Sequence, residues 1–404
     1  MDDTGALLIT VTGLDRPGLT ASLCETLDAQ GARLLDLEQV VIRDRLLLGL
    51  LASPGVEVEA LRAAVIATGE ELGVEVTVES MAARRPRTIG PRHYVTVLGQ
   101  PLRPSALAAL TGRIAEVGGN IDRITRLSRY PVLSFEMLVS RAEADALRIC
   151  LSDEASRQGV DVAVQPADLY RRAKRLVCFD VDSTLVQGEA IEQLAARAGC
   201  SEQVAAATSA AMAGEADFAG SLHDRVALLE GLPASALDEV RAELQLMPGA
   251  RTLTRTLKRL GFQLAVVSGG FTAITDELCE RLDIDFAAAN TLEVVDGHLT
   301  GRVVGPVVDR EAKASFLERF AADAGVPLSQ TVAVGDGAND ADMLRRAGLG
   351  IAFNAKAPAR EAADTAISVP YLDALLFLLG ITREEIDEAD AAQDATDAAS
   401  SRGR

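Results

Sequence analysis

Apolar residues recur along this chain in two different rhythms. Ahead of about Ala173 they form short strand-like runs separated by turns and helix-like stretches. Leu7-Leu8-Ile9-Thr10-Val11 is followed by the turn Gly13-Leu14-Asp15-Arg16-Pro17-Gly18-Leu19, a helix-like stretch that ends at Gly31, and a second run from Leu34 to Val41. The same order returns further on: Tyr94-Val95-Thr96-Val97-Leu98-Gly99, the turn at Arg103-Pro104, a helix-like stretch ending at Gly118-Gly119, then Asn120-Ile121-Asp122. Another strand and helix follow in both copies, so the pattern predicts two small α+β units built on one plan. Past Ala173 the apolar runs become continuous: Leu176-Val177-Cys178-Phe179, Leu264-Ala265-Val266-Val267 and Thr331-Val332-Ala333-Val334. Continuous runs suit strands covered on both faces of a parallel sheet. With helical patterns between them, they predict a doubly wound α/β domain. An Ala-rich, helix-favouring insert from about Glu189 to Gln245 is too long for a simple crossover and reads as a helical lid.

The expected organisation is therefore two ferredoxin-like α+β domains, residues 5–82 and 91–168, ahead of an α/β domain at 174–383 whose cap spans about 189–245. The basic stretch Ala83-Arg84-Arg85-Pro86-Arg87-Thr88 is expected to be the linker between the first two. Residues 384–404, rich in Asp, Glu, Ala and Ser, are expected to be a disordered acidic tail.

Composition narrows the function classes. A chain of 404 residues calls for two or three domains. With no Trp and 3% aromatic residues, its cores must be aliphatic. A net charge of -19 argues against a nucleic-acid or anionic-membrane partner, but a small anionic substrate can still find a locally positive site. The five cysteines are scattered and read as reduced thiols. Acidic Asp2 and Asp3 precede the first apolar run, so no secretory signal is expected. No apolar stretch is long enough to cross a bilayer. A cytoplasmic protein is the expectation.

Candidate chemistry gathers at the predicted strand ends, where open parallel sheets bind ligands. The first strand ends in Phe179-Asp180-Val181-Asp182-Ser183-Thr184-Leu185. Two carboxylates one residue apart are costly to place together unless a cation or substrate group shares the site. A later strand ends in Gly335-Asp336-Gly337-Ala338-Asn339-Asp340-Ala341-Asp342. Each segment alone could be a solvated turn or a helix cap. An oxygen-ligated Mg²⁺ would account for both. Between them, Val267-Ser268-Gly269-Gly270 leads into a helix and can offer hydroxyl and N–H groups to a phosphate. Lys313 supplies the positive charge that the other segments lack.

In this order, Asp180 to Leu185, Ser268-Gly269, Lys313 and Gly335 to Asp340 resemble the four motifs of the haloacid dehalogenase superfamily, over about residues 174–380. Within it the first motif, followed by Glu189, is similar to that of the phosphoserine phosphatases. The resemblance implies Mg²⁺-dependent hydrolysis of O-phospho-L-serine, the last step of serine biosynthesis. Asp180 would be the nucleophile and Asp182 the acid and base. The metal would sit on Asp180, the Asp182 carbonyl and Asp336. Ser268, Gly269, Lys313 and Asn339 would hold the phosphoryl oxygens, with Asp340 orienting Lys313 or a metal-bound water. Glu189 and Arg225 would grip the amino and carboxyl groups of the substrate, with Met212 and Phe218 as apolar lid residues. The same chemistry on another small phosphate ester, or an inert catalytic half on a regulatory amino-acid-binding protein, are the alternatives.

The front turn Gly13 to Leu19, followed by Gly31, resembles the ACT domain, a ferredoxin-like module that commonly binds amino acids at subunit interfaces. The resemblance implies a homodimer and L-serine as an effector near Asp15 and Gly18. The second copy lacks the Asp and the second Gly at Gly99-Gln100-Pro101-Leu102-Arg103-Pro104-Ser105. Modules that serve dimerisation alone remain the other reading.

Overall fold

The computed structural model describes residues 5–81, 90–168, 171, 173–212 and 218–402, with side chains at 209–212, 218 and 394–402 outside the description. The expected linker Ala83–Thr88 falls outside it. The chain divides into two units, Met1–Thr88 and Ile89–Arg404.

In the first unit the elements run β1 (Ala6–Leu14), α1 (Leu19–Ala29), β2 (Arg33–Ile42), β3 (Arg45–Ser53), α2 (Val58–Leu72) and β4 (Glu75–Met81). They form one antiparallel sheet in the order β2-β3-β1-β4. Alternation along β1 turns Leu7, Ile9 and Val11 onto Leu19, Leu23 and Leu27 of α1 and onto Leu61 and Val65 of α2. All of β2 is exposed, including Leu34, Leu37, Val40 and Ile42.

The second unit opens with the same plan: β5 (Arg92–Gly99), α3 (Pro104–Glu116), β6 (Asn120–Ser128), β7 (Leu133–Ser140), α4 (Ala144–Gln158) and β8 (Asp161–Pro166), in the sheet order β6-β7-β5-β8. The α/β part follows. After β9 (Leu176–Phe179) the cap helices α5 (Ala190–Ala198), α6 (Ser201–Met212), α7 (Phe218–Ala227) and α8 (Ser235–Glu243) intervene. Then come α9 (Ala250–Arg259), β10 (Gln263–Phe271), α10 (Thr272–Leu282), β11 (Phe286–Val295), β12 (His298–Val304), α11 (Arg310–Asp323), β13 (Thr331–Gly335), α12 (Ala341–Arg346), β14 (Gly350–Phe353), α13 (Ala357–Ala362), β15 (Thr365–Ile367), α14 (Leu375–Leu378) and α15 (Arg383–Arg402). The seven-stranded sheet is ordered β12-β11-β10-β9-β13-β14-β15, parallel except for β12. The chain leaves β9 for β10 on one side and reaches β13 on the other. This reversal opens a crevice at the carboxyl end of β9.

The second ferredoxin-like part is fused to the α/β part. Leu98, Leu127, Val132 and Ala163 belong to the same buried cluster as Phe179, Val266 and Leu376. Asp161 accepts the Ser368 N–H at 2.6 Å, Gln165 donates to the Leu378 carbonyl at 3.0 Å, and the buried Arg171 pairs with Glu136 and lies 4.3 Å over the Tyr94 ring. The expected disordered tail is corrected: Arg383–Arg402 is helical. Composition along this stretch is polar, yet Ile386 is buried, Arg383 pairs with Asp373 at 3.1 Å, and Asp390 bridges Arg255 and Arg259. These anchors tie down the stretch as far as Asp390, and Ala-rich helical propensity carries the helix on.

Candidate active site

Asp180 is the first residue beyond β9. Its N–H is tied to the Val334 carbonyl of β13 at 2.8 Å, which fixes the carboxylate at the sheet's crevice. Its Oδ1 receives the Lys313 ammonium at 2.6 Å, and the same ammonium reaches Asp340 Oδ1 at 2.7 Å. Lys313 is fully buried in the first turn of α11, a turn held by Asp309, whose side chain caps the Ala312 N–H at 2.9 Å. Asp340 spends its other oxygen on the N–H groups of Asp336 and Gly337, at 3.1 and 2.9 Å. That close turn needs Gly335, where a Cβ would lie 2.4 Å from the Asp340 carboxyl carbon.

Burial sets the electrostatics. It pushes the Asp180 carboxyl well above the usual range, the neighbouring Asp340 charge adds to this, and Lys313 opposes it. Asp336 is pushed up to about 7 by burial and by Asp340. Burial also works against the Lys313 charge, but Asp180 and Asp340 outweigh it and its pKa rises. Asp180, Asp336 and Asp340 bring carboxylate oxygens within 4.8 Å of one another. With a single buried lysine among them, this surplus of carboxylates fits a hard divalent cation with oxygen ligands. Asp340 has both oxygens engaged, by Lys313 and by peptide N–H groups, whereas Lys313 takes only Oδ1 of Asp180, so Asp180 and Asp336 are the better placed to hold such an ion.

Asp182 stands across the crevice mouth. Its Oδ1 accepts the Ala190 N–H at 2.9 Å, while the Ser268 hydroxyl favours its charged form. Burial is the larger effect and raises its pKa. The turn that brings it there holds Ser183 at φ 58°, a left-handed conformation costly for a residue with a Cβ. Ser268 near the end of β10 accepts the Gly270 N–H at 2.8 Å.

Asp180, Asp182 and Asp336 line a cavity of about 470 Å³ together with Glu189, Arg225, Gly269, Asn339 and Lys356. Glu189, at the N-terminus of α5, has its pKa raised by burial and then by Asp182. Arg225 comes from α7, is 9% exposed, and donates Nε–H to the Ser221 carbonyl at 3.2 Å. Glu189 and Arg225 both line the cavity, and each charge favours the charged form of the other. Of the sequence candidates, Asp180, Asp182, Glu189, Arg225, Gly269, Asp336 and Asn339 therefore meet at one cavity, with Ser268, Lys313 and Asp340 directly behind it. Met212 and Phe218 have side chains outside the described residues. Asp15 and Gly18 sit exposed in the β1–α1 turn of the separate first unit, with Gly18 at φ 94°.

Sequence reasoning missed Asn290 and Lys356. Asn290, 1% exposed, donates to the Gly269 carbonyl at 2.8 Å and accepts the Val308 N–H at 2.8 Å, fixing the Gly269 peptide. Its only signal was an amide within the small-residue run Ala287-Ala288-Ala289-Asn290. Lys356 caps α13 at the cavity lip and donates its N–H to the Asp336 carbonyl at 3.0 Å. Its chain position, just past β14, gave no such hint.

Residues 174–348 match the haloacid dehalogenase-like hydrolases, and residues 6–79 and 91–165 each match an ACT domain. A phosphoserine phosphatase of Streptomyces coelicolor is 58% identical over 395 residues, covering 97% of this chain and 96% of that protein. A phosphoserine phosphatase of Mycobacterium tuberculosis is 54% identical over 395 residues, with 96% of each covered. The crystal structure of a probable phosphoserine phosphatase from Vibrio cholerae, in unliganded form, shares 34% identity at a TM-score of 0.57, over 71% of this chain and 86% of that one. Fold and site define a haloacid dehalogenase-like hydrolase carrying two ACT domains. With such similarity over nearly its whole length, the chain belongs to the phosphoserine phosphatase family.

Proposed function

We propose that this chain hydrolyses O-phospho-L-serine to L-serine and phosphate through an aspartyl-phosphate on Asp180. The observation that carries the reading is the two-ended cavity. Asp180, clamped by Lys313, stands at the sheet end, and Glu189 and Arg225 present opposite charges from the cap. The phosphate belongs at the first end and the zwitterionic serine at the second. The Asp180 carboxylate attacks phosphorus as the bond to the seryl oxygen breaks, and Asp182 delivers a proton to that oxygen. Asp182 then takes a proton from water as the water oxygen attacks phosphorus, releasing phosphate and restoring Asp180. The Ser268 hydroxyl, the Gly269 N–H, Lys313 and Asn339 hold the phosphoryl oxygens. Mg²⁺, held by the Asp180 carboxylate, the Asp182 backbone carbonyl and Asp336, would shield carboxylate from phosphate.

Met212 and Phe218 would cover the serine end from the cap. The exposed apolar row on β2 supports a second copy of the chain covering that strand, and the β1–α1 turn at Asp15 and Gly18 is our candidate for serine binding. A cytoplasmic location suits a biosynthetic enzyme. Among the described residues, no helix is long and apolar enough to cross a membrane.

Phosphate release from O-phospho-L-serine and from a panel of phosphate esters, each with Mg²⁺ and with chelator, tests the reading. Phosphoserine should be the best substrate, and chelation should remove the activity. A better substrate lacking an amino or carboxyl group would refute the substrate assignment. No release from any ester would mean an inert catalytic half.

A further inference from the structure

The bond between Asp182 and Ala190 crosses from one part of the molecule to the other. Asp182 lies in the turn that follows β9, two residues past Asp180. Ala190 is the first residue of α5, where the cap begins, and Glu189 immediately before it faces the cavity. As the first helical residue, Ala190 has an N–H with no partner inside its own helix. The Asp182 carboxylate supplies that partner at 2.9 Å, and Ala190 is buried. The other carboxylate oxygen lies beside β10: a Cβ at Gly270 would lie 2.7 Å from Asp182 Oδ2. The carboxylate is thus bonded from the cap entry through one oxygen and sits against β10 with the other.

We propose that the Ala190 peptide N–H is the positioning group for the Asp182 carboxylate, so that seating of the substrate ammonium at Glu189 and aiming of the acid–base are joined through one peptide unit. The inference rests on the roles proposed above for Asp182 and Glu189. Glu189 and Ala190 share the peptide that makes the bond, so a displacement of the cap entry that moves one moves the other. When the entry segment swings away from the sheet, Asp182 loses the N–H on one oxygen and keeps only Ser268 and Gly270 beside the other. When it returns with Glu189 engaged, the carboxyl is aimed at the seryl oxygen. An ester with no ammonium to seat would leave the acid–base less firmly aimed, which gives selectivity in the turnover step as well as in binding.

Ala190→Pro tests this at a position whose backbone already suits proline. Proline is favoured at the first helical position, and Glu189 at φ −117°, ψ 131° already has the extended conformation that precedes a proline. Its ring Cδ takes the place of the amide proton and crowds Asp182 Oδ1, so the bond is lost and the carboxylate must turn aside. On phosphoserine, kcat should fall about ten- to a hundredfold, the rate equivalent of one hydrogen bond to a charged group, with KM moving less than about threefold. With p-nitrophenyl phosphate the leaving group needs no proton, so nitrophenolate should appear in a burst of about one per active site. A slow steady state should follow, because hydrolysis of the phospho-enzyme still needs Asp182. Ala190→Gly, which keeps the N–H, should restore the rate and abolish the burst. In an Asp182→Asn background, Ala190→Pro should cost less than about twofold more. Unchanged kcat in Ala190→Pro, or an equal loss in the Asp182→Asn background, overturns the inference. Unimpaired turnover in Asp182→Asn alone would instead refute the role of Asp182. If the proline variant does not fold, amide exchange decides: Asp182→Ala should release protection of the Ala190 N–H selectively, and equal protection in both proteins overturns the proposal.

Discussion

Replacing Lys313 with methionine keeps length and volume and deletes one buried charge. In the structure that ammonium lies 2.6 Å from Asp180 and 2.7 Å from Asp340, with no solvent contact. At an effective dielectric constant of about 20, each contact is worth about 6 kcal/mol of Coulomb attraction. Desolvation of three buried charges offsets most of this, several kcal/mol apiece. Breaking a buried network from one side leaves about 3–5 kcal/mol of destabilisation, because two carboxylates then face each other unpaired. The loss should depend on pH. Asp180 already has a raised pKa in the fold through burial and through Asp340, and removing Lys313 raises it further. A carboxyl whose folded pKa lies above its unfolded value weakens the fold as pH rises through that folded value. The variant's deficit should therefore be largest at pH 8 and shrink towards pH 5, where Asp180 can take up a proton. Catalysis should fall by at least about a hundredfold, since a neutral Asp180 is a poor nucleophile and a cation facing the phosphoryl group is lost. Urea unfolding of wild type and variant in metal-free buffer at pH 5, 6.5 and 8, beside turnover at each pH, measures both. A deficit under about 1 kcal/mol at pH 8, or one that grows as pH falls, would refute this account of the cluster.

Asp180→Asn should leave the fold intact and abolish turnover, as read by phosphate release and by the absence of acid-stable phosphoprotein. Arg225→Ala removes the proposed partner of the substrate carboxylate, worth about 1.5–3 kcal/mol, so phosphoserine turnover should fall about ten- to a hundredfold. A phosphate ester without a carboxylate should lose far less, and equal losses would assign Arg225 to the phosphate or to the fold. Asp336, pushed up to about 7, must shed its proton to hold a cation, so Mg²⁺ affinity should weaken as pH drops below about 7 with proton release on binding. Calorimetry in buffers of different ionisation enthalpy checks this, and pH-independent binding from 5.5 to 8 excludes it. Serine titrated into full-length protein should bind at the first ACT domain, and Asp15→Ala should remove that binding while basal turnover is unchanged. Serine that acts only as a competitor of phosphoserine, unaffected by Asp15→Ala, would leave that domain an assembly module.

The sequence by itself determined the catalytic elements. A four-residue apolar run such as Leu176 to Phe179 can be satisfied only with cover on both faces, and a carboxylate pair directly after it can sit only at the strand's end. Both constraints act over a few neighbours, so both were legible in the chain, as were Asp180, Asp336 and Lys313. Other features depend on partners far away in sequence. Lys313 acquires its environment from residues 133 and 27 positions distant, and Asn290 gains meaning only once it lies beside Gly269 and Val308. The Ala190 N–H carries no sequence signal, since every residue but proline has one. Composition marked the C-terminal stretch for disorder because a polar, Ala-rich segment cannot bury enough surface alone. Tertiary structure decided otherwise by offering Ile386 a pocket and Asp390 two arginines. The seam between the second ACT domain and the α/β part was equally hidden. Residues 91–168 read as a small domain of their own, and only the packed structure places Leu98 and Ala163 in one core with Phe179, because a hydrophobic pattern fixes which face is buried and not what buries it.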